Sequence, residues 1–316
     1  VSSVPARCAA VLVAALVLAT GCSGALNRSQ VRSAEGSITG LTVSGEPGTE
    51  PVVRIATPLA VPTTQTEVTV AGAGAPVQVD QLFVLELTLY DARTGAKAFS
   101  TYAPGSHALA AKTTDDTLFP KLSTALVGQK QGSRIVLAMA AADSFGAGGV
   151  PPRGVQASDP VVVVADVVSV PPTDTIPAAT GAALALPTGL PRIIEDPSGP
   201  SSLATGGLRA PRGVVVVQLI AGTGPPVRDR SLVSLDYLGQ VWGSGEPFAD
   251  TYFKDPVLAA LGTGTSPPAW QRGLVGVRRG SRVLVIAPAA LAGVPGAPGA
   301  PTHGTIAWVI DVLGVS

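Results

Sequence analysis

Cysteine and histidine occur twice each in 316 residues and methionine once, and neither a C-x-x-C nor an H-E-x-x-H spacing is present. This excludes dithiol and zinc chemistry in their usual sequence forms. His107 and His303 stand alone, and each reads as a solvated loop histidine. Aromatic residues are scarce at 4%, so the position of each ring carries information. No sign of charge dominates: 21 basic residues balance 21 acidic ones. Without a basic patch the chain has no footprint for nucleic acid. Gly222-Thr223-Gly224 and Gly262-Thr263-Gly264 lack the G-x-x-G helix that would make either a phosphate cradle, so they read as turns. Nothing in the sequence implies a cofactor.

Long apolar runs are missing too. Residues 9–19 form an uninterrupted run of 11 after Arg7, too short for a membrane span of about 20 residues and right for a signal-peptide core. Leu18-Ala19-Thr20-Gly21-Cys22 follows, a small-residue stretch that resembles a bacterial lipobox. The expectation is a lipoprotein signal peptide over residues 1–21, diacylation at Cys22 and a polar tether over 22–36. Two acyl chains suffice for anchoring at the extracytoplasmic face of the cell membrane. Cys8 would be removed with the leader, which leaves no thiol free for a disulfide.

What the chain does have is a repeat. Leu126-Val127-Gly128-Gln129-Lys130-Gln131-Gly132-Ser133-Arg134-Ile135 returns 148 positions later as Leu274-Val275-Gly276-Val277-Arg278-Arg279-Gly280-Ser281-Arg282-Val283. The flanks match as well: A-G-A-G-A-P-V holds Gly72 and Gly74, and A-G-T-G-P-P-V holds Gly222 and Gly224. Each copy closes on a valine-rich run with one acid, Asp166 or Asp311. A period this long means two globular domains. Their expected limits are 37–170 and 187–316, with a Pro/Ala/Thr linker over 171–186. The lead-in at Ile38-Thr39-Gly40-Leu41 has its counterpart at Gly189-Leu190-Pro191-Arg192. Thirty-seven glycines and 29 prolines punctuate strand-like segments, which favours loop-rich β structure over disorder. In the second copy strands are expected over 214–219, 232–237, 282–286 and 305–313. One short helix is expected over 269–274, with Trp270 and Leu274 on one face. Antiparallel strands covered by one helix make an α+β domain.

The ordered phrases of the second copy are Leu235-Asp236-Tyr237-Leu238-Gly239, Gly245-Glu246-Pro247-Phe248-Ala249, the segment 256–262, Ala269-Trp270-Gln271-Arg272-Gly273-Leu274 and Thr305-Ile306-Ala307-Trp308-Val309-Ile310. Together they resemble the FKBP-type peptidyl-prolyl isomerases over residues 213–316. The resemblance implies two tandem FKBP-like domains, each an antiparallel curved sheet wrapped on one short helix. It also implies a proline pocket floored by Trp270 and walled by Tyr237, Phe248, Val257 and Trp308.

Two departures from the family pattern bear on activity. The acid that follows the phenylalanine is Ala249 here, with Asp250 one place later as the stand-in. The loop tyrosine is missing, because Ile286-Ala287-Pro288 leads instead to Leu291-Ala292-Gly293. In the first copy Phe99 and Ser144-Phe145-Gly146 fit, but Thr88, Leu122 and Val163 stand for the tyrosine and the two tryptophans, so no working pocket is expected there. The implied function is a lipid-anchored isomerase, weakly active through its C-terminal domain, whose partners are proline-containing exported polypeptides. The alternative is a non-catalytic module that holds such segments or a partner protein. A third reading, compatible with both, makes the first copy a spacer.

Overall fold

The computed structural model describes residues 38–146, 150–197, 199–293 and 301–316; the expected leader, lipidation site and tether lie outside them. The first repeat runs through β1 (Leu41–Ser44), β2 (Val52–Ile55), β3 (Gln65–Val70), β4 (Phe83–Asp91), β5 (Lys97–Ser100), β6 (Leu109–Ala111), α1 (Pro120–Leu126), β7 (Arg134–Met139) and β8 (Val161–Ser169). After β9 (Ala182–Ala183) the second repeats that course. Its elements are β10 (Arg192–Asp196), β11 (Gly199–Ala204), β12 (Val215–Ala221), β13 (Leu232–Val241), β14 (Ala249–Asp250), β15 (Val257–Ala260), α2 (Pro268–Leu274), β16 (Arg282–Pro288), α3 (Ala289–Ala292) and β17 (Thr305–Val315).

The sheets have the same antiparallel order. One reads β3-β7-β8-β4-β5 with β6 also on β4; the other reads β12-β16-β17-β13-β14 with β15 also on β13. The chain is therefore a tandem of two α+β folds of the same topology. Among the described residues no helix is long and apolar enough to cross a membrane.

The repeated phrase builds this fold rather than any chemistry. Gly132 (φ 91°) and Gly280 (φ 92°) occupy the left-handed region, which favours glycine. The next residue is a serine whose Oγ accepts an N–H from the earlier glycine run: Gly72 donates to Ser133 at 2.9 Å and Gly222 to Ser281 at 3.0 Å. A Cβ on Gly72 or Gly222 would lie 2.3 Å from the carbonyl oxygen of Gln131 or Arg279. The arginine then pairs with the acid of the last strand, Arg134 with Asp166 at 2.7 Å and Arg282 with Asp311 at 2.6 Å.

Each sheet is covered on both faces, which explains why β4 and β17 are buried almost throughout. Side chains alternate along a strand. Leu85, Leu87 and Leu89 therefore meet the α1 side, where Leu122 and Leu126 stand one turn apart. Tyr90, Val162 and Val164 meet the β1–β2 hairpin through Leu41 and Val43. In the second repeat Trp270 and Leu274 cover one face, and the β10–β11 hairpin covers the other through Leu203 and Ile193. Both main helices open on proline at the first helical positions, where its missing N–H leaves nothing unpaired. The matching lead-ins thus open these two covering hairpins.

The segment expected as a linker is held along the second sheet. Ile176 donates to the Leu313 carbonyl at 3.0 Å and Thr180 to that of Gly280 at 2.8 Å. Ala182 and Ala183 then pair with β12 as an edge strand. The repeats themselves pack as one compact unit. Val84 and Ala108 of the first meet Leu232 and Ala260 of the second. Arg230 reaches Glu86 at 2.6 Å, and the Leu232 N–H donates to Ser169 Oγ at 2.8 Å.

Candidate functional site

Four rings of the second repeat converge from four separate segments. Tyr237 stands on β13, Trp308 on β17, Trp270 on α2 and Phe248 just ahead of β14. Tyr237 meets Trp270 at 5.0 Å and Trp308 at 5.4 Å between ring centroids. Trp308 meets Trp270 at 5.3 Å and Phe248 at 5.2 Å. All four contacts are edge-on, the geometry in which the positive edge of one ring faces the negative face of another. They wall a cleft of about 630 Å³ together with Val257. Burial raises the pKa of Tyr237 above the ordinary phenol range, so its hydroxyl stays neutral and able to donate.

The indole N–H groups of Trp270 and Trp308 are buried without a hydrogen-bond partner among the described residues, which carries a desolvation cost. The first repeat fills the equivalent places with Leu122 and Val163, both fully buried. Leucine and valine satisfy the fold at no such cost. Packing alone therefore does not account for the tryptophans, whereas a flat apolar surface for a ligand does.

Five of the expected residues, Tyr237, Phe248, Val257, Trp270 and Trp308, line this one cleft. Asp250 does not. Its Oδ1 accepts the Tyr252 N–H at 2.9 Å, and it sits opposite Leu238, whose side chain belongs to the core on the other face of the sheet. Ala249, one residue earlier, lines the cleft instead. One step along an extended segment reverses the face, so Asp250 is no stand-in for the missing acid. Where the loop tyrosine is missing, α3 supplies Ala292, and Gly293 and Pro301 complete that side.

The wall also includes Leu82 and Ala110 of the first repeat, which the sequence reading did not anticipate. No spacing or periodicity links residues so far apart along the chain.

Register corrects the reading of the first repeat as well. Glu86 lies opposite Asp166 as Asp236 lies opposite Asp311, which makes Leu87, not Thr88, the counterpart of Tyr237. Phe99 pairs with Leu89 as Ala249 pairs with Gly239, so Phe99 holds the place of Ala249 and not that of Phe248. Nor is the site closed. A cleft of about 470 Å³ lies over Leu122, lined by Leu87, Phe99, Phe119 and Phe145.

Residues 224–313 match the family described as FKBP-type peptidyl-prolyl cis-trans isomerase. No curated protein matches the chain. Among solved structures, FkpA from Escherichia coli is 29% identical over 33% of this chain and 48% of its own, with a TM-score of 0.30. The three FKBP domains of wheat FKBP73 are 16% identical over 80% of this chain and 94% of theirs, at 0.31. The N-terminal domain of FKBP42 from Arabidopsis thaliana is 23% identical over 33% and 87%, at 0.30. The chain thus spans about half the length of the FkpA chain it matches. The family match thus falls on the second repeat, the one that builds the aromatic cleft.

Proposed function

We propose that the second repeat binds proline-containing polypeptide segments over Trp270 and speeds their cis-trans isomerisation. The observation that carries this is the cage of four rings joined by edge-on contacts, kept at the cost of two indole N–H groups without a partner among the described residues. The reaction makes and breaks no bond. Its barrier of about 18–20 kcal/mol is the loss of amide resonance on twisting. A twisted imide is less dipolar than a planar one, so a site that replaces water by ring faces favours the twisted form over the ground state. Tyr237 is the donor available to hold a flanking carbonyl. With Asp250 turned away, the cleft works through its apolar walls and the Tyr237 hydroxyl without a carboxylate, and turnover is slow.

The placement of Asp250 also supports a second reading, in which the cleft holds proline segments and catalyses little. Exchange spectroscopy on a Leu-Pro peptide separates the two. Accelerated cis-trans exchange that Trp270→Leu abolishes is expected for the isomerase. Binding that depends on Trp270 without any acceleration establishes the holding module. Binding and exchange both indifferent to Trp270→Leu would remove the proline site altogether.

The same proposal places the protein at the extracytoplasmic face of a membrane, anchored through lipid on Cys22, with exported polypeptides as clients. The support is the charged, apolar and small-residue order of residues 7–22. Replacing Cys22 by Ser is expected to release the protein into the soluble fraction, and retention through a detergent-free wash would refute the anchor.

A further inference from the structure

The first-repeat cleft has features of its own that a relic would not need. Its floor, Leu122, is fully buried. Phe119 and Phe145 pack edge-on above it at 5.2 Å. Among the described residues that line it, Thr117 alone carries a polar side chain. Phe99 remains 41% exposed at its mouth, as Phe248 remains 38% exposed at the other. The two phenylalanines come from adjacent register positions, so each repeat reaches the same half-exposed ring by a different residue.

The clefts also share a border residue. Ala110 on β6 lines both of them, and Leu82 from the same repeat lines the one over Trp270. The strand between them is fixed, because β6 pairs with β4 and β4 carries Glu86, the partner of Arg230. A polypeptide leaving the proline cleft past Ala110 therefore meets a second apolar site held in constant register. That site lacks the tryptophan faces suited to a proline ring and is walled instead by phenylalanine edges and leucine.

We infer that the two clefts are consecutive subsites for one extended polypeptide. The first-repeat cleft takes an aromatic or long aliphatic side chain of the same segment whose proline rests on Trp270. The inference rests on the proline reading of the second cleft. It makes the first repeat a reader of sequence context beside the proline. Two weak sites joined by one chain gain affinity through effective concentration.

The test uses the full chain and two series of fluorescein-labelled peptides. Each peptide carries one Leu-Pro pair, followed at varied spacing by a Phe-Leu-Phe run in one series and by serines in the other. At a matching spacing the apolar run is expected to tighten binding about tenfold over its serine control, the effect of burying one such side chain. Phe99→Ser is expected to remove that gain and leave serine-peptide affinity unchanged; Phe99 is exposed enough for this change to leave the fold intact, which circular dichroism checks. Phe145→Ala provides a second variant with the same expected result. No gain at any spacing, or a gain that survives both variants, would overturn the inference. The proline reading is measured separately, by the loss of serine-peptide affinity in Trp270→Leu, so either can fail while the other stands.

Discussion

The two repeats solve the same packing problem with different side chains. Opposite the last strand, the first repeat sets Leu89 against Val163, while the second sets Gly239 against Trp308. A Cβ on Gly239 would lie 2.2 Å from the Trp308 ring. The glycine is therefore the space into which the tryptophan fits, and the pair exchanges volume across the ladder as close packing requires. The α-helix makes a parallel exchange, Leu122 for Trp270. One scaffold thus holds either an aliphatic floor or an aromatic cage, and the difference between the repeats marks the residues that the proposed function assigns to a ligand.

The ion pairs differ too. Arg134 is buried to 1% exposure, and its guanidinium also donates to the carbonyls of Gly45, Glu46 and Thr49 in the β1–β2 turn. Arg282 keeps 11% side-chain exposure and reaches Glu195 of the second hairpin. Removing Arg134 strands Asp166 among buried groups and frees the hairpin turn. Arg134→Leu is therefore expected to destabilise the protein by about 3–5 kcal/mol, and Arg282→Leu by less. Urea denaturation of both variants checks the order, and equal losses would break the comparison.

The volume exchange is tested next. Gly239→Ala drives a methyl into Trp308 and is expected to cost about 1–3 kcal/mol while lowering peptide affinity. The double change Gly239→Leu with Trp308→Val, which copies the first repeat, is expected to recover stability without recovering affinity. If stability does not return, the two pairs are not equivalent solutions. Trp270→Leu isolates the floor. It is expected to cost about 1–3 kcal/mol yet reduce proline-peptide binding by more than about tenfold, as read by anisotropy beside a denaturation curve.

The smallest effect concerns Asp236, the counterpart of Glu86. Glu86 has Arg230, whereas burial, followed by the charges of Asp311 and Asp250, raises the pKa of Asp236 above the usual carboxylate range against the opposing hydrogen bond from Thr251. The folded state then holds this proton more tightly than the unfolded chain, so the group's contribution to stability declines as pH rises through the raised range. Asp236→Asn is expected to remove that decline and gain on wild type from about pH 4 upward. Urea midpoints at several pH values check this, and parallel curves would contradict it.

Much of this architecture could be read before any coordinate. The doubled G-S-R phrase, the matched glycine pairs and the acid of each last strand are local or fixed in spacing, so they announced two copies of one α+β fold. The ordered aromatic phrases pointed to the second copy as the one with a site. The covering hairpins were harder to see, because β1, β2, β10 and β11 are short and only partly apolar, and their role is to bury another element's face. That Val164 and Val309 are buried on the sheet faces turned away from α1 and α2 follows from those hairpins rather than from strand periodicity.

The sequence by itself determined the duplication, the strand-forming segments and the identity of four rings and one valine at the cleft. Tertiary structure decided which neighbour faces that cleft. Leu87 rather than Thr88 answers to Tyr237, and Ala249 rather than Asp250 lines the wall, because ladder register and bulges fix side-chain direction and a single step reverses it. It also decided that Leu82 and Ala110 of one repeat border the site of the other. Contacts across a domain boundary join surfaces rather than neighbours along the chain, and no local pattern of residues encodes them.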